Sequence, residues 1–420
     1  MWQVRIDTGG TFTDAIGISP EGNLERLKVL SSGRLRLGAK NGQVVLPGGG
    51  VLVSAIIREL GSTDPLGRVS EADAREGVLN VETDRRIIEL DPGCDAPVLA
   101  MHLLTATPLG DRLPPIDLRI ATTRATNAIL TNALDRVLLI TTKGFEDLPV
   151  IDNQARDDIF ALNPSPPRLL PSAVLGVDAR LCARGNELLP IDEEAIAAQA
   201  VEIAQDSEID SIAIVLLHAW ANPEHELRLA QACLRHGLDR ISLSHSCAPG
   251  IGLVARMRTT IANASLATTI NSFTQELCIE STGGASLFMN SAGGLRSKNS
   301  FAPCESFLSG PAAGVSGAIA AARAMDISRA IAFDMGGTST DVSRYAERVD
   351  LKDETTVGPT TVRVPSIAIE TVAAGGGSIC TISDGRLQVG PESAGAEPGP
   401  ACYGDGGPLC ITDVNLTTCA

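Results

Sequence analysis

Aromatic residues are scarce in this sequence: eight Phe, two Trp and two Tyr make up 3% of 420 residues. Cores built from Ala, Val, Ile and Leu are therefore expected. Positive charge is also short. Thirty-four Lys and Arg stand against fifty Asp and Glu, a net charge of −16. That balance argues against a nucleic-acid binder, whose affinity rests on clustered cations. No apolar run approaches the roughly 20 residues that cross a bilayer; the longest is SIAIVLLHAW at 211–220. The start, MWQVRIDTGG, lacks a basic segment followed by an apolar one, so no export signal is expected and the expected location is cytoplasmic. The ten cysteines include no C-x-x-C pair. In an unexported chain they are expected to be reduced and buried, with no zinc site. The histidines, among them His218 and His225 around a WANPE turn and His245 in SHS, read as structural. Two catalytic signatures are also missing. No G-x-x-x-x-G-K-[ST] occurs, which excludes a P-loop, and AGVSGA (313–318) lacks the second glycine of a nucleophile elbow.

One octapeptide is present twice. DTGGTFTD occupies 7–14 and DMGGTSTD occupies 334–341. In each, an apolar strand ends in Asp, and two glycines let the backbone bring N–H groups close to a ligand. Threonine hydroxyls add donors, and a second Asp follows. Amides with hydroxyls suit phosphate oxygens. A carboxylate at a strand end suits Mg²⁺, which keeps several waters and accepts one or two carboxylates plus phosphate oxygens. A single copy would be an ordinary turn. Two copies fit a triphosphate gripped by one hairpin from each of two related domains.

The remaining pattern is α/β. A hairpin is expected at 2–18, a loop at 31–50, and short β segments with many turns at 57–115. A helix follows at 122–134, a buried strand at 136–142 and a Pro-rich linker at 162–172. Asp192 is an N-cap candidate with acidic residues after it. Strand 211–218, helix 223–237 ending at Gly237, and strand 240–246 come next. One long helix is expected at 252–280, a strand at 285–294, a small-residue helix at 310–325 and a second hairpin at 329–345. Alternation of β and α segments favours an α/β class. Two domains are expected, 1–190 and 191–420.

Two phosphate hairpins separated by a long α/β stretch describe the actin-like ATPase architecture, two ribonuclease-H-like domains around a nucleotide cleft. The chain resembles one branch of it, the hydantoinase A / 5-oxoprolinase family. The resemblance runs through RIDTGGTFTD (5–14), TTRATNAIL (122–130), LLITTKGFEDL (138–148), QARDDIFAL (154–162), ESFLSGPAAGV (305–315), FDMGGTSTDVSRYA (333–346), ETVAAGGGS (370–378) and VGPESAGAEPGPACYGDGGP (389–408). QARDDIF and SRYA look most like the 5-oxoprolinase branch. Residues 31–60 fit poorly, and SHSCAP (244–249) has Ser246 where members usually carry Glu. The chain stops at ITDVNLTTCA, read as a strand start inside a domain, so an unfinished second domain is expected.

The resemblance implies ATP-dependent opening of a cyclic amide, with 5-oxoproline giving glutamate. A hydantoinase B-like partner would be needed for the hydrolytic half, and an oligomer is expected. A hydantoinase A subunit acting on hydantoins, a ketone carboxylase subunit and a non-catalytic ATP-binding module share the scaffold. On this reading Gly9, Gly10, Thr11 and Thr13 cradle phosphates on one side, and Gly336, Gly337, Thr338 and Thr340 on the other. Asp7 and Asp334 hold Mg²⁺ through water, with Asp14 and Asp341 in support. Gly375, Gly376 and Gly377 let the nucleotide's sugar or base approach, or form a flexible loop. GPAAG (310–314) offers helix-start amides to an anion, or serves helix packing. TTRATN (122–127) with QAR (154–156) forms the substrate site. There Arg124 or Arg156 pairs with a carboxylate, or makes a surface ion pair.

Overall fold

The structure is a computed structural model. It describes all residues except 11, 49, 61, 84–86, 156–159, 161, 163–168, 281–282, 359, 384, 396–397, 405 and 419–420. Most of the linker expected at 162–172 thus lies outside the described residues. The chain divides into two compact units, residues 1–310 with 353–365, and residues 311–352 with 366–420. Among the described residues no helix is long and apolar enough to cross a membrane.

The first unit is built on a six-stranded sheet. Strands β1 (Trp2–Thr8) and β2 (Phe12–Ile18) form the expected hairpin, and β3 (Leu24–Leu30) extends it antiparallel. On the other side of β1 lies β4 (Ile116–Thr122), parallel to it. Val4 and Ile6, two apart in β1, are fully buried. Helix α1 (Ala96–Thr105) packs across β1, β2 and β3. Its sequence, APVLAMHLLT, is apolar on every side and buried along most of its length. It therefore carries no 3.6-residue stripe to announce it among the turn residues of 57–115. The loop expected at 31–50 is also corrected. Strands Leu35–Lys40 and Gln43–Val45 join a second six-stranded sheet with Ile56–Glu59, Pro65–Arg68, Val78–Asn80 and Ile87–Asp91. Leu35, Leu37 and Ala39 supply its period-two face, which the surrounding Gly, Lys and Arg obscure.

A smaller, all-parallel sheet follows. It contains β5 (Val137–Thr142), β6 (Ala173–Val177), β7 (Ser211–Val215) and β8 (Ile241–Leu243), in the order β6-β5-β7-β8. β5 and β7 are buried at every residue, as parallel strands covered on both faces must be. One face packs on helix Glu193–Asp206 and on α2 (Glu224–Arg235). The Asp192 carboxylate accepts from the Ala195 amide at 3.2 Å, the cap read from the sequence. The other face packs on α3 (Leu253–Ser265) through Met257, Ile261 and Ala264. Ala262 and Leu266 instead join the core of the large sheet.

The single helix expected at 252–280 is two. After Leu266 the chain restarts as α4 (Ala267–Glu280), and the Asp135 carboxylate accepts from the Thr268 amide at 2.8 Å. That bond satisfies a first-turn donor of the new helix. Strand 240–246 is likewise shorter. It ends at Leu243, and Ser244–Cys247 is one helical turn whose hydroxyl and amide are drawn to Glu226. Two further strands, β9 (Ser286–Met289) and β10 (Leu295–Ser297), complete the large sheet beyond β4.

In the second unit β11 (Arg329–Met335) and β12 (Thr340–Ala346) form the second hairpin, with β13 (Ile369–Val372) on the far side of β12. Helix α5 (Ser309–Ala324) runs into this unit and packs Ala312, Val315, Ile319 and Ala322 around Tyr345 and Ile367. Ile331 and Phe333 stand where β1 has Val4 and Ile6, yet they are 73% and 67% exposed.

The terminal ITDVNLTTCA is not a strand. It is helix α6 (Ile411–Thr418), and the reason is Asp413. That carboxylate accepts from the amides of Ala401 (3.2 Å), Cys402 (2.8 Å) and Cys410 (2.7 Å). The Cys402 thiol, then these amides, hold its pKa down to about 2. Cys402 is also the exposed member of the nine free cysteines among the described residues, against the burial expected for all of them. A carboxyl held below its ordinary value stabilises the fold fully above that value and loses its contribution as pH falls through about 2. A carboxyl-carbon NMR titration checks this. A midpoint near the ordinary aspartate value of about 3.9 would show that the cage does not form.

Two candidate phosphate-binding hairpins

The two octapeptides fold into the same turn. In the first, Asp7 pairs with Asp14 and Thr8 with Thr13, and the Gly9 amide donates to Phe12 O at 3.0 Å. In the second, Asp334 pairs with Asp341 and Met335 with Thr340, and the Gly336 amide donates to Ser339 O at 2.9 Å. Directly opposed residues of an antiparallel pair share a face, so each hairpin carries two carboxylates side by side at its base. Like charges so placed repel. Each pair is relieved by a neighbour: Lys28 bonds Asp14 at 2.9 Å, and Thr371 donates to Asp341 at 2.7 Å.

Above the carboxylates the turns offer donors. The amides of Gly10, Gly337 and Thr338 have no partner among the described residues. A Cβ on Gly337 would meet nothing within 4 Å, and one on Gly10 only the Asn127 amide nitrogen at 3.7 Å. The fold itself leaves room for a side chain at both positions. Thr11 lies outside the described residues. Among the described residues no three His, Cys, Asp or Glu gather as a metal cage. The arrangement suits Mg²⁺ with few protein ligands, where water and phosphate complete the shell.

Two family models match this chain: the hydantoinase/oxoprolinase N-terminal region over residues 107–237, and hydantoinase/oxoprolinase over residues 256–418. The chain belongs to the hydantoinase/oxoprolinase family. It is 36% identical to 5-oxoprolinase 1 of Arabidopsis thaliana across 79% of its own length and 29% of that protein. It is 29% identical to caprolactamase subunit alpha of Pseudomonas jessenii across 99% of its length and 54% of the relative. The crystal structure of the ATP-dependent caprolactamase from that organism superposes with a TM-score of 0.67 at 25% identity, again over 99% and 54%. A nucleotide-free acetone carboxylase shares the fold, with a TM-score of 0.61 at 21% identity over the same shares. The chain thus spans under a third of the 5-oxoprolinases and about half of the caprolactamase chain.

Within this hydantoinase/oxoprolinase chain the second threonine of each octapeptide faces inward. Thr13 is buried against Ser31 (3.0 Å), whose hydroxyl donates to Gly9 O at 2.8 Å. Thr340 donates to Ala374 O at 2.5 Å. Both hydroxyls are spent on these bonds, and Ser31 is a bracing residue that the sequence did not announce. Thr338 remains exposed.

The glycine triplet is not a flexible loop. Gly376 and Gly377 donate to Gly336 O (2.9 Å) and Gly337 O (2.7 Å), zipping the triplet to the second turn. Thr412 in turn bonds Gly376 O through its amide and its hydroxyl. The glycines of GPAAG are accounted for by clearance. A Cβ on Gly310 would stand 3.3 Å from Asp7 Oδ1, and one on Gly314 3.5 Å from Asp334 Oδ2.

TTRATN does adjoin the first hairpin: Thr123 donates to Thr8 O through its amide (2.9 Å) and hydroxyl (3.1 Å). Arg124 is committed elsewhere. It bonds Asp95 at 2.6 Å and lies 4.4 Å over the Phe273 ring. Arg156 lies outside the described residues.

Proposed function

We propose that this chain uses ATP to activate a cyclic amide for ring opening, with 5-oxoproline as the substrate, in an actin-like fold of two related domains. The observation that carries the reading is the turn built twice, with open amides above a paired carboxylate. The relatives support it: 5-oxoprolinases by sequence, and an ATP-dependent caprolactamase by sequence and structure.

An amide carbonyl is a weak electrophile. Moving the γ-phosphoryl group of ATP to its oxygen, with ADP leaving, makes the carbon attackable. Water then adds to that carbon and the C–N bond breaks, which frees the amine and leaves an acyl phosphate; a second water hydrolyses it to the carboxylate and free phosphate. Phosphoryl transfer asks a protein mainly for positioning and charge neutralisation. Gly10, Gly337 and Thr338 supply amides for phosphate oxygens. Asp7 and Asp334 would hold Mg²⁺, which supplies the neutralising charge. The hydrolytic half belongs, in this proposal, to a hydantoinase B-like partner.

Asp7→Asn and Asp334→Asn should each lower Mg²⁺-dependent ATP hydrolysis by about 10²-fold or more, a typical cost of losing one charge-stabilising group. Unfolding temperatures should stay within a few degrees. Steady-state phosphate release, with and without 5-oxoproline, is the measurement. Undiminished hydrolysis in both variants would remove the assignment.

A further inference from the structure

The small parallel sheet has its own place for a ligand. From β5 the chain first moves outward to β6 and then returns to the other side of β5 at β7. Connections leave β5 and β7 in opposite directions, so a crevice opens at their carboxyl ends, where open α/β sheets bind ligands. Thr142 ends β5, and its hydroxyl accepts from the Leu217 amide at 3.0 Å. Just beyond β7 stands His218, held at φ +61°. It differs from the other four histidines. His102, His225, His236 and His245 each bond a backbone oxygen or a carboxylate, whereas the His218 ring has no partner among the described residues.

Beneath this crevice lies Arg256, from the first turn of α3. It is 1% exposed. Its Nη2 donates to Leu216 O at 2.8 Å, at the carboxyl end of β7, but its Nε and Nη1 are buried without a hydrogen-bond partner. A buried charged donor left unpaired is costly, and Arg256 has no ion pair among the described residues. The nearby carboxylate, Glu226, is saturated. Its two oxygens accept from Leu216 N, Ser244 Oγ, His245 N and His245 Nδ1 at 2.6–3.1 Å. Burial and the charges of Arg180 and Arg256 disfavour protonation of His218. Arg363 adds further positive charge beside Arg256. Arg180, Arg256 and Arg363 thus bring positive charge to the crevice; Glu226 is spent on its own four donors, and Asp178, just past β6, is paired with Lys143.

We propose that this crevice takes the carboxylate of the substrate, with an unpartnered N–H of Arg256 as its donor, Arg180 as a flanking cation and His218 beside it. A carboxylate oxygen on an unpartnered guanidinium N–H makes a charge-assisted hydrogen bond. The inference rests on the cyclic-amide reading and narrows it to ring amides that carry a carboxylate, as 5-oxoproline does and caprolactam does not. It also assigns to Arg256 the contact that was expected of Arg124, which is already paired, or of Arg156.

The test is calorimetric binding of L-5-oxoproline and of 2-pyrrolidone, the same ring without the carboxylate, to the parent chain and to Arg256→Met. The parent should bind 5-oxoproline and not 2-pyrrolidone. Arg256→Met should bind 5-oxoproline about ten- to a hundredfold more weakly, the worth of a charge-assisted hydrogen bond. Without ligand it should melt no lower than the parent, because an unpaired buried charge is gone. Equal affinity of parent and variant would overturn the site, as would a parent that binds both rings alike. Should Arg256→Met fail to fold, amide exchange on the parent decides. Slower exchange over 216–219 on adding 5-oxoproline supports the site, and unchanged exchange there overturns it. ATP hydrolysis by the parent is followed separately. Absence of stimulation by 5-oxoproline counts against the cyclic-amide reading, whereas Arg256-independent binding counts against the crevice.

Discussion

Gly375→Ala should lower ATP turnover about 10²-fold and Gly337→Ala should leave the fold untouched, although the two glycines face one another. A Cβ at residue 375 would lie 2.6 Å from Gly337 C and Thr338 N and 2.7 Å from Gly337 O. All three are backbone atoms, and none can swing aside as a side-chain tip can. Either the triplet or the second turn must move, and the bonds from Gly376 and Gly377 to that turn are strained or lost. Overpacking of this kind costs about 1–3 kcal/mol. A shift of about 1 Å in a positioning element costs about 10²-fold in rate. At Gly337 the added methyl enters open space. Its effect is confined to whatever occupies that space, so Mg²⁺-ATP affinity should fall while the melting temperature holds. Paired thermal and nucleotide-binding measurements give the result. A Gly337→Ala chain with parental ATP affinity would take the phosphate away from this turn.

The second large effect is expected at Glu226. Replacing it by Leu keeps the volume near but strips the partner from Leu216 N, Ser244 Oγ, His245 N and His245 Nδ1 at once. It also removes the one carboxylate whose charge favours protonated Arg256. Breaking a buried charged network from one side costs about 3–5 kcal/mol. The urea midpoint of the first unit should fall accordingly, with the 244–247 turn the first to lose exchange protection. A loss below about 1 kcal/mol would mean that water replaces the carboxylate without penalty.

The hairpins were legible because both their strands and their turn obey local rules, and the turn is spelled twice. The buried strands VLLITT and SIAIV were legible as unbroken apolar runs, and Asp192 as a cap. Other features depend on partners far along the chain. Nothing near Gly375 indicates that Gly337 will lie against it, and nothing near Thr13 indicates that Ser31 will bond it. The break at Leu266 depends on Asp135, and the turn at Ser244 on Glu226. The α6 helix is set by a local sign that went unread: Asp413 sits three residues after Cys410, whose amide it accepts, a helix-start spacing. Arg256 was hidden for the opposite reason. A single Arg in an amphipathic-looking stretch gives no hint that two of its nitrogens will be sealed in without a partner.

Helix α3 has thirteen residues, a rod of about 20 Å. Its first turn carries Arg256 at the mouth of one sheet, and just past its last residue Leu266 is wedged in the core of another. Close-packed interiors do not absorb displacement gradually. The rod therefore ties the surroundings of the guanidinium and the core of the large sheet to one element. The core that holds Leu266 is the one that buries Val4 and Ile6 of the first hairpin, so a single helix serves both layers.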